Sequence, residues 1–204
     1  RMEWVRKFRE AIEARYPDQA FTWYVRGLAH MTENDAGNAI QAFENAKRIE
    51  QANPRVALYL WRHGFSGILP VHRLAILYGQ LNEPGIALNL TEEALRRYAE
   101  IQPGQVPPME LCINRAELLG TLNRSQDALD YIQVLRHEYA AVLNDSDRER
   151  LAFAEAKALS LSQRGSEAAS ALPKADTPAS LLMQAKLALV AQDREMAAAR
   201  LQAL

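Results

Sequence analysis

The chain has 204 residues, 49% of them apolar and 24% charged, which is the profile of an ordinary globular protein. Its 24 Lys and Arg against 25 Asp and Glu leave a formal net charge of −1, which gives no global attraction to a phosphate backbone and argues against nucleic acid as a partner. One cysteine excludes an internal disulfide and a multi-Cys zinc site, nine Gly and nine Pro argue against extensive disorder, and no apolar run reaches the roughly 18–20 residues that span a bilayer.

The first predicted helix covers about 2–15 and stops at Tyr16-Pro17-Asp18. Five helical hairpins follow, near 20–52, 69–101, 108–143, 147–172 and 178–204. Between the first two, Asn53-Pro54 is a helix-start signal opening a short apolar run from Val56 to Trp61, read as an extra helix over 54–63 that ends at Gly64-Phe65-Ser66-Gly67. The stretch from Gln102 to Pro108 is a loop, because Pro103-Gly104 and Pro107-Pro108 cannot continue a helix. Ser146 to Glu149 has the capping-box pattern and is taken to open the fourth hairpin. Pro173 ends the hairpin's short second helix, and Thr177-Pro178 opens the fifth.

A repeat is written in paired small residues. Gly27 and Ala39, Ala75 and Ala87, Ala116 and Ala128, Ala156 and Ala168, and Ala185 and Ala197 are each 12 apart. Seven residues after the first member stands an amide: Asn34, Asn82, Asn123, Gln163 or Gln192. In the first four units a larger residue, His30, Tyr78, Leu119 or Leu159, follows the first member by three. Four residues after the second come Phe43, Thr91, Ile132, Leu172 and Leu201. Two antiparallel helices approach closely only where side chains are small, so each pair predicts a helix crossing, with the amide at the polar turn between them.

Trp23, Gly27, Ala39, Phe43 and Ala46 match the tetratricopeptide motif, with His30 where that family usually has Tyr. Leu74, Ala75, Tyr78, Ala87 and Ala94 match it again, with Thr91 in place of the large aromatic; the third unit keeps Ala116 and Ala128 and has Cys112 at the Trp position. The sequence thus resembles the tetratricopeptide-repeat family. The resemblance implies an all-α fold, a right-handed superhelical stack of antiparallel hairpins forming one domain over 1–204. The spacing is looser than that family's roughly 34-residue period, since the second-helix alanines are separated by 48, 41, 40 and 29.

Catalytic chemistry is not legible. The sequence has no Gly-rich phosphate loop and no H-E-x-x-H pattern, and its four histidines (His30, His63, His72 and His137) fall in different elements. Cys112, beside Leu111 and Ala116, reads as a buried structural thiol. Asp145 and Asp147 lack the Gly and distal Glu of a calcium loop. Glu92-Glu93 and Arg96-Arg97 read as a solvated helix face of local ion pairs. No catalytic residue, cofactor or metal is expected.

The resemblance implies a concave groove lined by the first helix of each hairpin, and hence a protein or peptide partner. The expected contact residues are Tyr24, Leu28, Met31, His72, Arg73, Ile76, Gln80, Ile113, Asn114, Glu117, Thr121, Phe153 and Lys157, with Trp23 a packing residue. In one subgroup of the family Lys and Asn grip a C-terminal carboxylate; here Tyr24 and Leu28 stand at those places. The expected function is a protein–protein interaction scaffold. The alternative is a sensory or regulatory domain that binds an effector and controls the output of a larger signalling protein. A chain opening at Arg1, with both ends in helix-like sequence, reads as part of a longer protein. A cytoplasmic setting is expected, and self-association is compatible with the sequence.

Overall fold

In a computed structural model the described residues are 2–52, 69–172, 178–190 and 194–203. They form eleven α-helices and no strand. The helices are α1 (Met2–Arg15), α2 (Ala20–Thr32), α3 (Ala36–Ala52), α4 (Leu69–Gln80), α5 (Pro84–Ile101), α6 (Met109–Thr121), α7 (Ser125–Glu138), α8 (Asp145–Leu161), α9 (Gly165–Ala171), α10 (Pro178–Val190) and α11 (Arg194–Gln202). The helix expected over 54–63 lies outside the described residues.

The helices form two compact units, 1–105 and 106–204. In the first, α2 packs on α3 and α4 on α5 as hairpins, α1 lies on α2, and α3 meets α4. In the second, the hairpins are α6–α7, α8–α9 and α10–α11. Their first helices touch in succession, α6 to α8 and α8 to α10, and each second helix meets the next first helix.

The small-residue pairs sit inside these hairpins. Gly27 is buried, and Ala39, Ala87, Ala116, Ala128, Ala156 and Ala168 have no exposed surface. Ala75, Ala185 and Ala197 are at most 3% exposed. Phe43 lies against Gly27, where a Cβ would come within 2.5 Å of its ring. In the second hairpin the position of Phe43 is held by the smaller Thr91, fully buried, whose hydroxyl donates to the Ala87 carbonyl at 2.8 Å. The one polar atom introduced there is thus satisfied.

The turns show what the amides do. Asn34, Asn82, Asn123 and Gln163 have φ of 58°, 60°, 64° and 61°, the left-handed conformation. Asn is the residue after Gly best suited to it. The residue after each amide then serves both helices. Its N–H donates back to the carbonyl of His30, Tyr78, Leu119 or Leu159 (2.8–3.0 Å), and its own carbonyl accepts from Ala39, Ala87, Ala128 or Ala168 (2.9–3.1 Å). The amide column of the sequence is therefore a helix stop, a more specific role than a polar turn residue. The large-residue column supplies the carbonyl that closes that stop.

Two local expectations are corrected. The capping box opening α8 is made by Asn144 and Asp147, not Ser146 and Glu149: Asn144 Oδ1 accepts from the Asp147 N–H at 2.9 Å, and Asp147 accepts from the Asn144 N–H at 3.2 Å. A single capping pattern fits two registers here, and the helix takes the one two residues earlier. Nor is the Glu92–Arg97 segment simply a solvated face. Glu93 and Arg97 are only 22% and 21% exposed, pair at 2.6 Å, and are joined by Lys47 of α3, which meets Glu93 at 3.1 Å.

Candidate functional site

On the first helices α2, α4, α6 and α8 the residue after the small one is half-buried: Leu28, Ile76, Glu117 and Lys157. Four residues further on, Thr32, Gln80, Thr121 and Leu161 are exposed. One helical turn separates the two positions, so together they make a stripe left open by the hairpin contact. Met31, Arg73, Asn114 and Phe153 flank it and are half-buried.

Three expected contact residues are not on that stripe. Tyr24, His72 and Ile113 are 7%, 6% and 0% exposed. Each stands three residues before the small one, nearly a full turn back on the same face, and is drawn inward with it, whereas Phe153, at the same place before Ala156, stays half-buried. Tyr24 packs its ring 5.6 Å from that of Phe43. Trp23 is half-buried; its indole carries the Arg26 guanidinium at 4.4 Å, and Arg26 bonds Glu13 of α1 at 2.7 Å. The assignment of Tyr24 to the open face is therefore corrected. The missing side chain at Gly27 lets Phe43 come close to α2, and Tyr24 closes over it.

Polar contacts tie neighbouring first helices together. In the first unit, Arg73 Nε of α4 donates to the Tyr24 hydroxyl of α2 at 3.3 Å. In the second, Arg150 of α8 spans to α6, donating to both Glu117 carboxylate oxygens (3.2 and 2.9 Å) and to Asn114 Oδ1 (2.8 Å). Lys157 Nζ of α8 donates to Thr121 Oγ1 of α6 at 2.8 Å. Arg150, together with exposed Thr32 and Leu161, was not among the expected residues. Arg150 stands seven residues before Lys157, two turns back on the same face, and that spacing is the signal that identifies it. The two units thus present different stripes. The first is largely apolar (Leu28, Met31, Ile76), and the second is polar and internally paired.

Cys112 and Tyr131 are quiet. Cys112 is 1% exposed, and burial pushes its thiol above its ordinary range, the reverse of an activated nucleophile. Burial also raises the Tyr131 hydroxyl, which hydrogen-bonds with Cys112 and lies under Arg115 at 4.3 Å. No group of three or more His, Cys, Asp or Glu among the described residues could hold a metal ion. An open cleft of about 550 Å³ between α7, α8 and α9 is lined by Arg136, Glu155, Leu159, Ser166, Glu167, Ser170 and Ala171. Its polar groups are matched to one another or to near neighbours: Arg136 to Glu155 at 2.7 Å, Glu167 to Arg164 at 2.6 Å, and Ser170 to the Ser166 carbonyl at 3.0 Å. No described helix is long and apolar enough to cross a membrane.

No protein-family model matches the sequence, and no curated protein matches it. Solved structures do. PilW, a widely conserved type IV pilus biogenesis factor, superposes with a TM-score of 0.65 at 14% identity over 98% of this chain and 82% of its own. MamA from Desulfovibrio magneticus RS-1 gives 0.60 at 11% identity over 91% and 92%. Cut9, in the APC/C hetero-tetramer Cut9–Hcn1, gives 0.52 at 15% identity over 99% of this chain and 42% of its own. At such identities the likeness speaks for the fold, and these neighbours are tetratricopeptide-repeat proteins. The chain has the all-α, tetratricopeptide-like helical-repeat fold.

Proposed function

We propose that the chain is a non-enzymatic interaction module that binds a peptide or protein segment along the open stripe that the first helices present within a unit. The observation that carries this reading is the stripe itself. In four successive hairpins the same two positions are left uncovered on helices whose other faces are packed, and cross-helix hydrogen bonds hold the neighbouring helices in place. A surface preformed in this way lowers the ordering cost of binding an extended partner. Among the similar structures, Cut9 is found in a hetero-tetramer with Hcn1, which supports a scaffold role. The contact set is Leu28, Met31, Arg73, Ile76 and Gln80 in the first unit and Asn114, Glu117, Thr121, Phe153 and Lys157 in the second, with Thr32, Arg150 and Leu161 added.

The test is a selection of short peptides from a displayed random library, followed by affinity and melting measurements on variants. Leu28→Ala, Ile76→Ala and Lys157→Ala are expected to weaken the selected peptides about tenfold or more, a cost near 1.4 kcal/mol, with the melting temperature shifted little. Binding that survives these changes and is lost with Glu92→Ala or Arg96→Ala, on the second helix of a hairpin, overturns the reading.

A further inference from the structure

The first helices of the first unit, α2 and α4, contain no Asp or Glu. Their cations differ in how they are engaged. Arg26 is bound to Glu13 and stacked on Trp23. Arg73 donates through Nε to the Tyr24 hydroxyl, and no carboxylate pairs with it among the described residues. Tyr24 is itself held by Phe43, so the guanidinium is oriented from below by a packed ring. Ile76 follows Arg73 by three residues and Leu28 follows Tyr24 by four, which puts half-buried apolar side chains on the faces beside it. A half-buried guanidinium is less screened than an exposed one, and its fork matches a carboxylate in two parallel bonds.

We propose that Arg73 is a specificity-determining residue that selects an acidic side chain, so that the segment bound on this face carries Asp or Glu next to large apolar residues. The proposal rests on the interaction-module reading above and deepens it. Charge complementarity chooses the occupant: among the described residues, α2 and α4 bring no acid and one oriented arginine without a carboxylate partner, which suits a carboxylate flanked by apolar groups. A phosphate would call for further cations, and Arg26, the other arginine of these two helices, is already paired.

Peptides selected by the 204-residue chain from a random library supply the probes. Each is compared with its analogue in which Asp becomes Asn or Glu becomes Gln, by fluorescence anisotropy against the parent, Arg73→Met and Tyr24→Phe. Enrichment of acids beside Leu, Ile or Phe is expected. The amide analogue should bind the parent about tenfold more weakly, while Arg73→Met should bind acid and amide forms alike. Tyr24→Phe, which keeps the ring and loses the hydroxyl, should reduce the preference in part. Raising salt should weaken the acidic peptide on the parent only, and melting curves check that each variant is folded. Equal affinity of acid and amide peptides for the parent, with Leu28→Ala and Ile76→Ala still harmful, overturns this inference and leaves the interaction surface standing. Indifference to Leu28→Ala and Ile76→Ala as well brings down both.

Discussion

Gly27 shows how a single residue can be set by its neighbour's volume. In an exposed helix interior, Gly→Ala is worth about 1 kcal/mol in favour of Ala, through the lower entropy of the unfolded chain. At Gly27 an opposing effect is larger. An added Cβ would lie 2.5 Å from Phe43 Cε1 and 2.7 Å from Cδ1, and overpacking of this kind costs about 1–3 kcal/mol when neither helix can yield. Gly27→Ala should therefore lower stability in urea unfolding by about 1–2 kcal/mol net. Combining it with Phe43→Leu should destabilise by less than the sum of the two single changes, because the ring atoms that clash are gone. A Gly27→Ala variant as stable as the parent would mean that Phe43 has room to move. The same logic bears on Ala75: the repeat register puts Thr91, not an aromatic, at the position of Phe43. It also bears on the turns. Asn34, Asn82 and Asn123 suit the left-handed backbone, whereas Gln163 (φ 61°) adopts it with a longer side chain that lacks Asn's local hydrogen bonding.

Between whole helices, the contact of α3 with its neighbours contains a carboxylate that the sequence does not advertise. Glu50 is 4% exposed, its Oε2 has no hydrogen-bond partner, and burial pushes its pKa from 4.5 up to about 8, with Arg97 pulling the other way. Arg97 is already held by Glu93, which also holds Lys47. The folded state therefore binds the Glu50 proton more tightly than the unfolded chain does. Its contribution to stability is full below about pH 4.5 and falls as the pH rises towards 8. Glu50→Gln should match the parent near pH 4 and exceed it at pH 8 by on the order of 4 kcal/mol. Parallel stability curves for parent and variant across that range would show that Glu50 is ionised in the fold. Much else at this scale was legible, for a physical reason. Small residues at fixed spacing report on backbone approach, which any sequence must satisfy in the same way, so the hairpin crossings and the fold class could be read directly. Whether a residue beside a crossing points in or out depends on the volume brought by the opposite helix. That is why Tyr24 was placed on the open face, and why Glu93 and Arg97 read as solvated. Of the stripe positions, Leu28, Ile76, Gln80, Glu117, Thr121 and Lys157 stood among the expected contacts and Thr32 and Leu161 did not, whereas Arg150 needed the α6–α8 contact to give it a role.

Across the whole molecule, the packing within each unit joins helices that are neighbours in the chain or one hairpin apart. Stability in such an array is close to a sum of hairpin terms and nearest-neighbour interfaces, so a defect should be felt locally. Ala39 tests this. It has no exposed surface, and its N–H closes the first turn by donating to the Asp35 carbonyl at 3.0 Å. Ala39→Leu should force α2 and α3 apart at a cost of about 1–3 kcal/mol. Every 1.4 kcal/mol corresponds to a tenfold faster exchange for amides that open through the damaged element. Hydrogen exchange followed by mass spectrometry should then show faster exchange in α2 and α3, a smaller effect in α4, which meets α3, and unchanged protection in α8 to α11. Ala168→Leu should give the mirror result, with exchange raised in α8 and α9 and the helices of the first unit unaffected. Uniform loss of protection over all helices in either variant would show a single cooperative block, and the two units would then have no separate energetic meaning. A local pattern would mean that a segment bound on the apolar stripe of α2 and α4 stabilises its own hairpins first. In that case ligand-induced protection, measured with the selected peptides, should be concentrated in α2 to α5 and should disappear with Ile76→Ala.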